Sequence, residues 1–300
     1  MAPQSGTYGE RFDEYERQIR AEYAFVPEPQ FSERRLRHRA LSLTHEAPLV
    51  LTPATSMRIV AWNCCRGPMA KKLAALQSLR PDVAVLAEAL PPERESPQVL
   101  WFPSNASRLG TQVLAFGPDY KLRRLRRAAG GEDLPNCVVP VRVTGPISFN
   151  LLAVWTWPAP SYTQAFLNGL TACASALRRS PAVVAGDFNG NPMFDKPKAR
   201  MKWWTTGFSM LHESGLVSAY HHHEGVAFGQ EAHATHHFLR KPHRPFHIDF
   251  CFIPQAWAHN GNSRVQVLHG PPWSALSDHF PVVVDVDVAV AVDVAMDVGA

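Results

Sequence analysis

The chain has 300 residues, 46% hydrophobic and 19% charged, with a formal net charge of +4 at neutral pH. This globular composition can bury a sizeable core, and its small basic excess permits an anionic substrate without demanding nucleic acid. Five cysteines without a paired C-x-x-C arrangement argue against a disulfide scaffold. No apolar run reaches the roughly eighteen residues of a membrane span, and the start, MAPQSGTYGERFDEYERQIR, lacks a secretory signal's apolar core. A soluble, cytoplasmic protein is expected.

Residues 1–50 read as a helical extension and linker. Tyr15, Ile19, Tyr23, Leu36 and Leu43 fall near helical spacing, and Pro27 and Pro29 divide the segment into two predicted helices. From Met57 the pattern changes. RIVAWNC predicts a strand, MAKKLAALQSLR an amphipathic helix stopped by Pro81, and VAVLAEA a buried strand. TQVLAF, CVVPVRV, FNLLAVW and AVVAGDF predict further strands, and TQAFLNGLTACASALRR a helix. IDFCFIP, VQVLHG and PVVVDV are the late strands. Strands outnumber helices and are often adjacent, which fits an α/β domain with mixed sheets over residues 57–286. The low-complexity tail, 287–300, either extends the last strand or frays. Neither an internal repeat nor a glycine-rich phosphate loop is present.

Polar residues recur where apolar strands end. In PAVVAGDFNGNP a buried strand runs into Asp187 and Asn189, and residues two apart on an extended chain point the same way. A turn rich in Gly, Asn and Pro explains this stretch locally; a rigid post for two functional side chains explains it more sharply. AWNCCRG ends in Asn63 and PDVAVLAEA in Glu88, while HIDFCF and SDHFPVVV hold Asp249, Asp278 and His279. A carboxylate among Ile248, Phe250 and Phe252 needs a partner, and His279 is the natural candidate.

AWNCCRG, PDVAVLAEA, AGDFNGNP, HIDFCF and SDHFPVVV, in this order, resemble the metal-dependent endonuclease/exonuclease/phosphatase superfamily. That group includes apurinic endonucleases, pancreatic-type deoxyribonucleases, sphingomyelinases and inositol polyphosphate phosphatases. The likeness covers roughly Met57 to Val286 and implies a four-layer α/β sandwich, two facing mixed sheets flanked by helices, with the site at one end. It implies Mg²⁺ (or Mn²⁺) held by Glu88, with Asn63 and Asp278 close by. It gives Asp187 the role of activating the attacking water, Asn189 that of positioning the nucleophile or a phosphate oxygen, and His279 that of donating to the phosphoryl group. Asp249 would orient His279. In one departure, Trp155 stands where many members place a His or Tyr against the phosphate; an indole donates one hydrogen bond but carries no charge. Separately, YERQIRAEYAFVPEPQF is faintly similar to a C-terminal helical segment of HD-superfamily phosphohydrolases, without their paired His-Asp metal motif.

The expected reaction is divalent-metal-dependent hydrolysis of a phosphate ester, foremost a nucleic-acid phosphodiester. The basic run Lys121–Arg127 and the aromatic pair Trp203 and Trp204 support that substrate, although each has an ordinary structural reading as a solvated face and as core. A small organic phosphate or phospholipid head group is the alternative within enzymes. A catalytically inactive binding scaffold and a histidine-rich metal-binding protein are the alternatives outside them. Nine of the fourteen histidines lie between His212 and His247, read as a flexible polar loop or, less simply, as a transition-metal site. Cys64 and Cys65 read as two small buried residues rather than a redox switch.

Overall fold

The computed structural model describes residues 54–288 apart from 105–106, 129, 179 and 197–201. The extension and linker expected over 1–50 and the end of the tail, 289–300, lie outside the described residues. Two six-stranded mixed sheets form the body. The first contains β1 (Thr55–Asn63), β2 (Val83–Ala89), β3 (Val99–Pro103) and β4 (Gly110–Ala115), with the late strands β13 (Ser263–Val267) and β14 (Val282–Val288), in the order β13-β14-β1-β2-β4-β3. The second contains β5 (Lys121–Arg124), β6 (Val138–Thr144), β7 (Phe149–Trp155), β8 (Ala182–Asp187), β9 (Leu216–Ser218) and β12 (Asp249–Pro254), in the order β5-β6-β7-β8-β12-β9. Each sheet has one parallel pair, β1–β2 and β7–β8, at its centre. A short ribbon pairs β10 (His236–His237) with β11 (Pro245–Phe246).

Period-two alternation sorts the strand residues into layers. On β1, Met57, Ile59 and Ala61 face the other sheet, as do Val183 and Ala185 of β8 and Cys251 and Ile253 of β12. The alternate residues of β1, Val60 and Trp62, pack outward beneath helix α1 (Met69–Ser78). Those of β8 and β12, including Val184, Phe250 and Phe252, pack under α2 (Tyr162–Ala172), α3 (Ala174–Arg178) and α4 (Trp203–Glu213). Helices, sheet, sheet and helices make the expected four-layer α/β sandwich.

Local departures from expectation have local causes. TQAFLNGLTACASALRR forms two helices, α2 and α3, broken at Cys173, whose N–H is shared between the Gly169 and Leu170 carbonyls. Helix α1 stops before Pro81 because Arg80 takes a positive φ of 50°, the residue before a proline being disfavoured in the helical region. β3, β9, α4 and the helix α5 (Ala219–Glu224) are additions to the sequence reading. In β5 Leu122 alone is buried, so the basic run opens as a solvated strand face.

Phe188, fully buried, fixes the end of β8. Its ring lies 5.1 Å from Phe166, 5.3 Å from Phe250 and 5.6 Å from Phe208, edge-on to each. Phe188→Ala should lower the unfolding free energy by about 3–5 kcal/mol, read as a fall in the urea midpoint at unchanged m-value.

Candidate active site

The inward faces of the strands turn polar at one end of the sandwich. Asn63 continues the inward row Ile59, Ala61; Asp187 continues Val183, Ala185; and Asp249 starts the row Cys251, Ile253. β8 and β12 are antiparallel with Asp249 registered directly opposite Asp187, so the two carboxyl groups are neighbours, both without solvent exposure. Gly186 lets the β8 backbone lie close against β7. It has φ +140°, and a Cβ there would lie 1.9 Å from the Val154 carbonyl oxygen.

Asp187 accepts hydrogen bonds from Asn63 Nδ2 at 2.8 Å, Asn189 Nδ2 at 2.9 Å and the Asn189 backbone N–H at 2.8 Å. Asn189 thus reaches Asp187 as the sequence suggested, but by another route. β8 ends at Asp187, and Asn189 folds back in a left-handed turn with φ 49°, its Nδ2 also donating to the Thr156 carbonyl at 3.0 Å. The expected alternation of an extended strand is replaced by a turn that closes on its own carboxylate. Burial and the nearby charge of Asp249 raise the Asp187 carboxyl far above the usual carboxylate range, to about 7, against the lowering effect of His279 and the hydrogen bonds.

His279 meets Asp249 as expected, with Nδ1 2.8 Å from Oδ2. Burial pulls the imidazole down, but the charges of Asp249 and Asp187 and the hydrogen bond outweigh it and push it up to about 10. The ring is therefore an imidazolium at neutral pH with Nε2 as its remaining donor. Its backbone is pinned to β1 by Ser277, whose Oγ donates to the Asn63 carbonyl and accepts from the His279 N–H, and by Trp62 Nε1 donating to the His279 carbonyl. Asp249 Oδ1 is buried with no hydrogen-bond partner.

Glu88 sits in a bulge of β2 with φ 54°, and its Oε1 accepts from Asn63 Nδ2 at 3.2 Å. Asn63 is thus shared between Glu88 and Asp187, while its Oδ1 accepts from the Cys65 N–H. Asp278 is half-buried beside His236, Nε2 to Oδ2 3.8 Å. Burial acts to raise its carboxyl, but the imidazoles of His236 and His279 hold it well below the usual range. Among the described residues, the Asp187, Asp249 and His279 ligand atoms lie within 4.8 Å of one another, and so do those of His236, Asp278 and His279. Glu88 stands outside both groups and is joined to Asp187 through Asn63.

His236, Thr235 and Ser277 belong to this structure but not to the sequence reading. Thr235, fully buried, accepts the Ile248 and Asp249 N–H groups on Oγ1 and receives the Phe280 N–H on its carbonyl. Nothing in the local pattern marks it, since it lies in the histidine-rich stretch expected to be a flexible loop. That expectation is corrected: His221, His236 and His247 are buried. His221 bonds Ser218 and Glu231, and His247 Nδ1 donates to the His233 carbonyl at 2.7 Å. Glu231 also receives Asn191, the residue two past Asn189, so this stretch braces the turn.

The remaining features divide. Trp204 is core against Phe166 and Phe208, whereas Trp203 is 39% exposed. Trp155 packs at 5.0 Å on Trp157 in a buried group with Ala87 and Cys137. Arg124 and Arg127 hold internal partners, Glu95 and the Trp101 carbonyl for one and the Leu134 and Val138 carbonyls for the other. Cys64 is buried and Cys65 half-buried beside Asp278. Burial pushes their thiols up to about 12 and about 11, which disfavours the reactive thiolate.

Three solved structures share this architecture. The chain superposes on an endonuclease/exonuclease/phosphatase from Beutenbergia cavernae with TM-score 0.51 and 17% identity, covering 78% of this chain and 72% of that one. The chain carries the endonuclease/exonuclease/phosphatase fold. The 3′–5′ exonuclease NExo from Neisseria meningitidis matches with TM-score 0.54 and 20% identity over 77% of this chain and all of that one. The endonuclease domain of TRAS1, a telomere-specific non-LTR retrotransposon, matches with TM-score 0.53 and 15% identity over 79% and 100%. No family model and no curated protein matches the sequence. Among the described residues of this endonuclease/exonuclease/phosphatase fold, no helix is long and apolar enough to cross a membrane.

Glu231 gives a test of the bracing. Burial acts to raise its carboxyl, but hydrogen bonds from His221 and Asn191 and the nearby His247 hold it down to about 2. A carboxyl that is a stronger acid in the folded state stabilises that state above its unfolded pKa, about 4.5, and the contribution fades as pH falls through about 2. Urea unfolding of wild type and Glu231→Gln should therefore differ most above pH 4.5, with the gap narrowing toward pH 3.

Proposed function

We propose that the protein is a divalent-metal-dependent phosphohydrolase that cleaves a phosphate ester by in-line attack of water, with a nucleic-acid phosphodiester as the leading substrate. The observation that carries this reading is the buried Asp187–Asp249–His279 group, a carboxyl of raised basicity beside an oriented imidazolium. A binding scaffold has no need to bury two opposed carboxyl groups without solvent.

The donor set fits a hard cation. Three carboxyl groups, Asp187, Asp249 and Asp278, act on one charged imidazole, Glu88 joins Asp187 through Asn63, and Asp249 Oδ1 is left without a donor. Oxygen ligands of this kind suit Mg²⁺ or Mn²⁺. Glu88 and Asp278 would hold the ion, with Asn63 as an orienting neighbour. The ion would neutralise phosphate charge and so ease approach of a nucleophile.

The side chains supply the other requirements. Asp187, with its affinity for a proton raised by burial, takes the proton of the attacking water. Asn63 and Asn189 keep its carboxylate in one orientation, and the turn at Asn189 presents that residue's amide beside it. His279 donates from Nε2 to the phosphoryl oxygen as charge builds there, and Asp249 keeps the ring in that tautomer and charge state. The cavity of about 630 Å³ lined in part by His237, Phe246, His247 and Phe280 includes none of Asp187, Asn63, Asn189, His279 or Asp249.

Support for nucleic acid comes from the named activities of the exonuclease and endonuclease neighbours and from exposed Trp203; the internally paired Arg124 and Arg127 add little. Hydrolysis of bis-p-nitrophenyl phosphate, p-nitrophenyl phosphate and DNA should require Mg²⁺ or Mn²⁺ and stop with EDTA. Asp187→Asn and His279→Ala should each lower kcat at least about 10²-fold, while Glu88→Gln should raise the metal concentration needed for half-maximal rate. Turnover that survives EDTA or Asp187→Asn would refute the mechanism.

A further inference from the structure

His236 is buried against the candidate site but has no part in the mechanism above. Its ring lies face to face with His279, centroids 4.1 Å apart and planes 26° apart, with Phe246 6.3 Å away and inclined 27°. The backbone is held equally firmly, by a β-bridge between His236 and His279 and by the His237 N–H donating to the Asp278 carbonyl at 2.9 Å. Ring and backbone therefore leave the imidazole one orientation.

The two ring nitrogens are in different surroundings. Nδ1 is buried with no hydrogen-bond partner. A buried N–H without an acceptor is rarer and more costly than an unfilled lone pair, which puts the proton of the neutral ring on Nε2. From Nε2 the ion-pair partner is Asp278 Oδ2 at 3.8 Å, beyond hydrogen-bond reach. Asp278, His279 and His236 place their polar atoms within 4.8 Å of one another. His236 Nε2 is thus held in one cluster with Asp278 and the His279 ring, its Asp278 partner lying at 3.8 Å.

We infer that His236 is a second imidazole donor to the phosphate ester, its Nε2–H reaching a non-bridging oxygen beside the one that His279 takes. The role rests on the phosphohydrolase reading. Paired imidazole donors fit a compact phosphate bearing two free oxygens on that side, as diesters and monoesters both do.

The test pairs kinetics with a readout independent of turnover. His236→Phe retains a flat ring between His279 and Phe246 but removes the N–H; His236→Gln returns an N–H near the position of Nε2. With folding checked by thermal midpoint, His236→Phe should lower kcat about 10²-fold with a smaller change in KM, and His236→Gln should recover part of the loss. In ¹⁵N-histidine spectra the metal-free wild type should show His236 as the Nε2–H tautomer, and vanadate should shift the His236 and His279 signals together.

An Nδ1–H tautomer, or a His236→Phe enzyme with wild-type kcat, would overturn the inference while leaving the phosphohydrolase reading in place. Absence of both metal-dependent turnover and a vanadate shift in the wild type would remove the two together.

Discussion

Asp187 and Asp249 face each other across two hydrogen-bonded strands, both sealed from solvent. Two like charges in that position repel and are poorly solvated, so every group around them has to answer that cost. His279 does most of it by carrying a positive charge against Asp249. Asn63, Asn189 and the Asn189 backbone direct three donors at Asp187. Because His279 is anchored to β1 through Ser277 and Trp62, compensation for a pair on one sheet comes from the other. The electrostatics of the site and the packing of the two sheets are therefore one problem.

The fold solves it with ordinary strand geometry. Alternation keeps aliphatic side chains between the sheets and, at one end of β1, β8 and β12, substitutes a polar group for an apolar one in the inward row. Tight elements then set the angles: Gly186 brings β8 against β7, the bulge at Glu88 redirects its carboxylate, and the left-handed turn at Asn189 closes on Asp187. Phe188, between the two polar residues, points the other way into an aromatic cluster. The stretch from Gly186 to Asn189 that presents the chemistry thus also carries the anchor that keeps it still.

Much of this was legible in the sequence because period-two patterning and abrupt polar endings are local signals. RIVAWN, VAVLAEA and AVVAGD each read correctly as strands, and the Asp249–His279 pairing followed from the cost of an isolated carboxylate among Ile248, Phe250 and Phe252. Contributions defined by tertiary contact were not legible. Thr235 and His236 lie in a stretch whose composition says polar loop, and their burial arises from strands distant in sequence. Trp203 and Trp204 are identical in type and adjacent, yet one is core and the other exposed, a distinction set by which face of α4 meets Phe166. The basic run read first as a solvated face and only second as a phosphate track, and Arg127 is occupied by the carbonyl oxygens of Leu134 and Val138.

The division of the site between the sheets has a mechanical corollary. Asn63 and Glu88 belong to β1 and β2, and His279 is tied to β1, while Asp187 and Asp249 belong to β8 and β12 and Asn189 to the turn that follows β8. A sliding of one sheet over the other by a fraction of a side chain would leave every strand ladder intact and most apolar contacts replaceable. It would still pull the imidazolium from its carboxylates and separate Asn63 from Asp187. Competence at this centre is thus a gauge of inter-sheet registry, more sensitive to shear between the layers than the backbone hydrogen bonding of either layer alone.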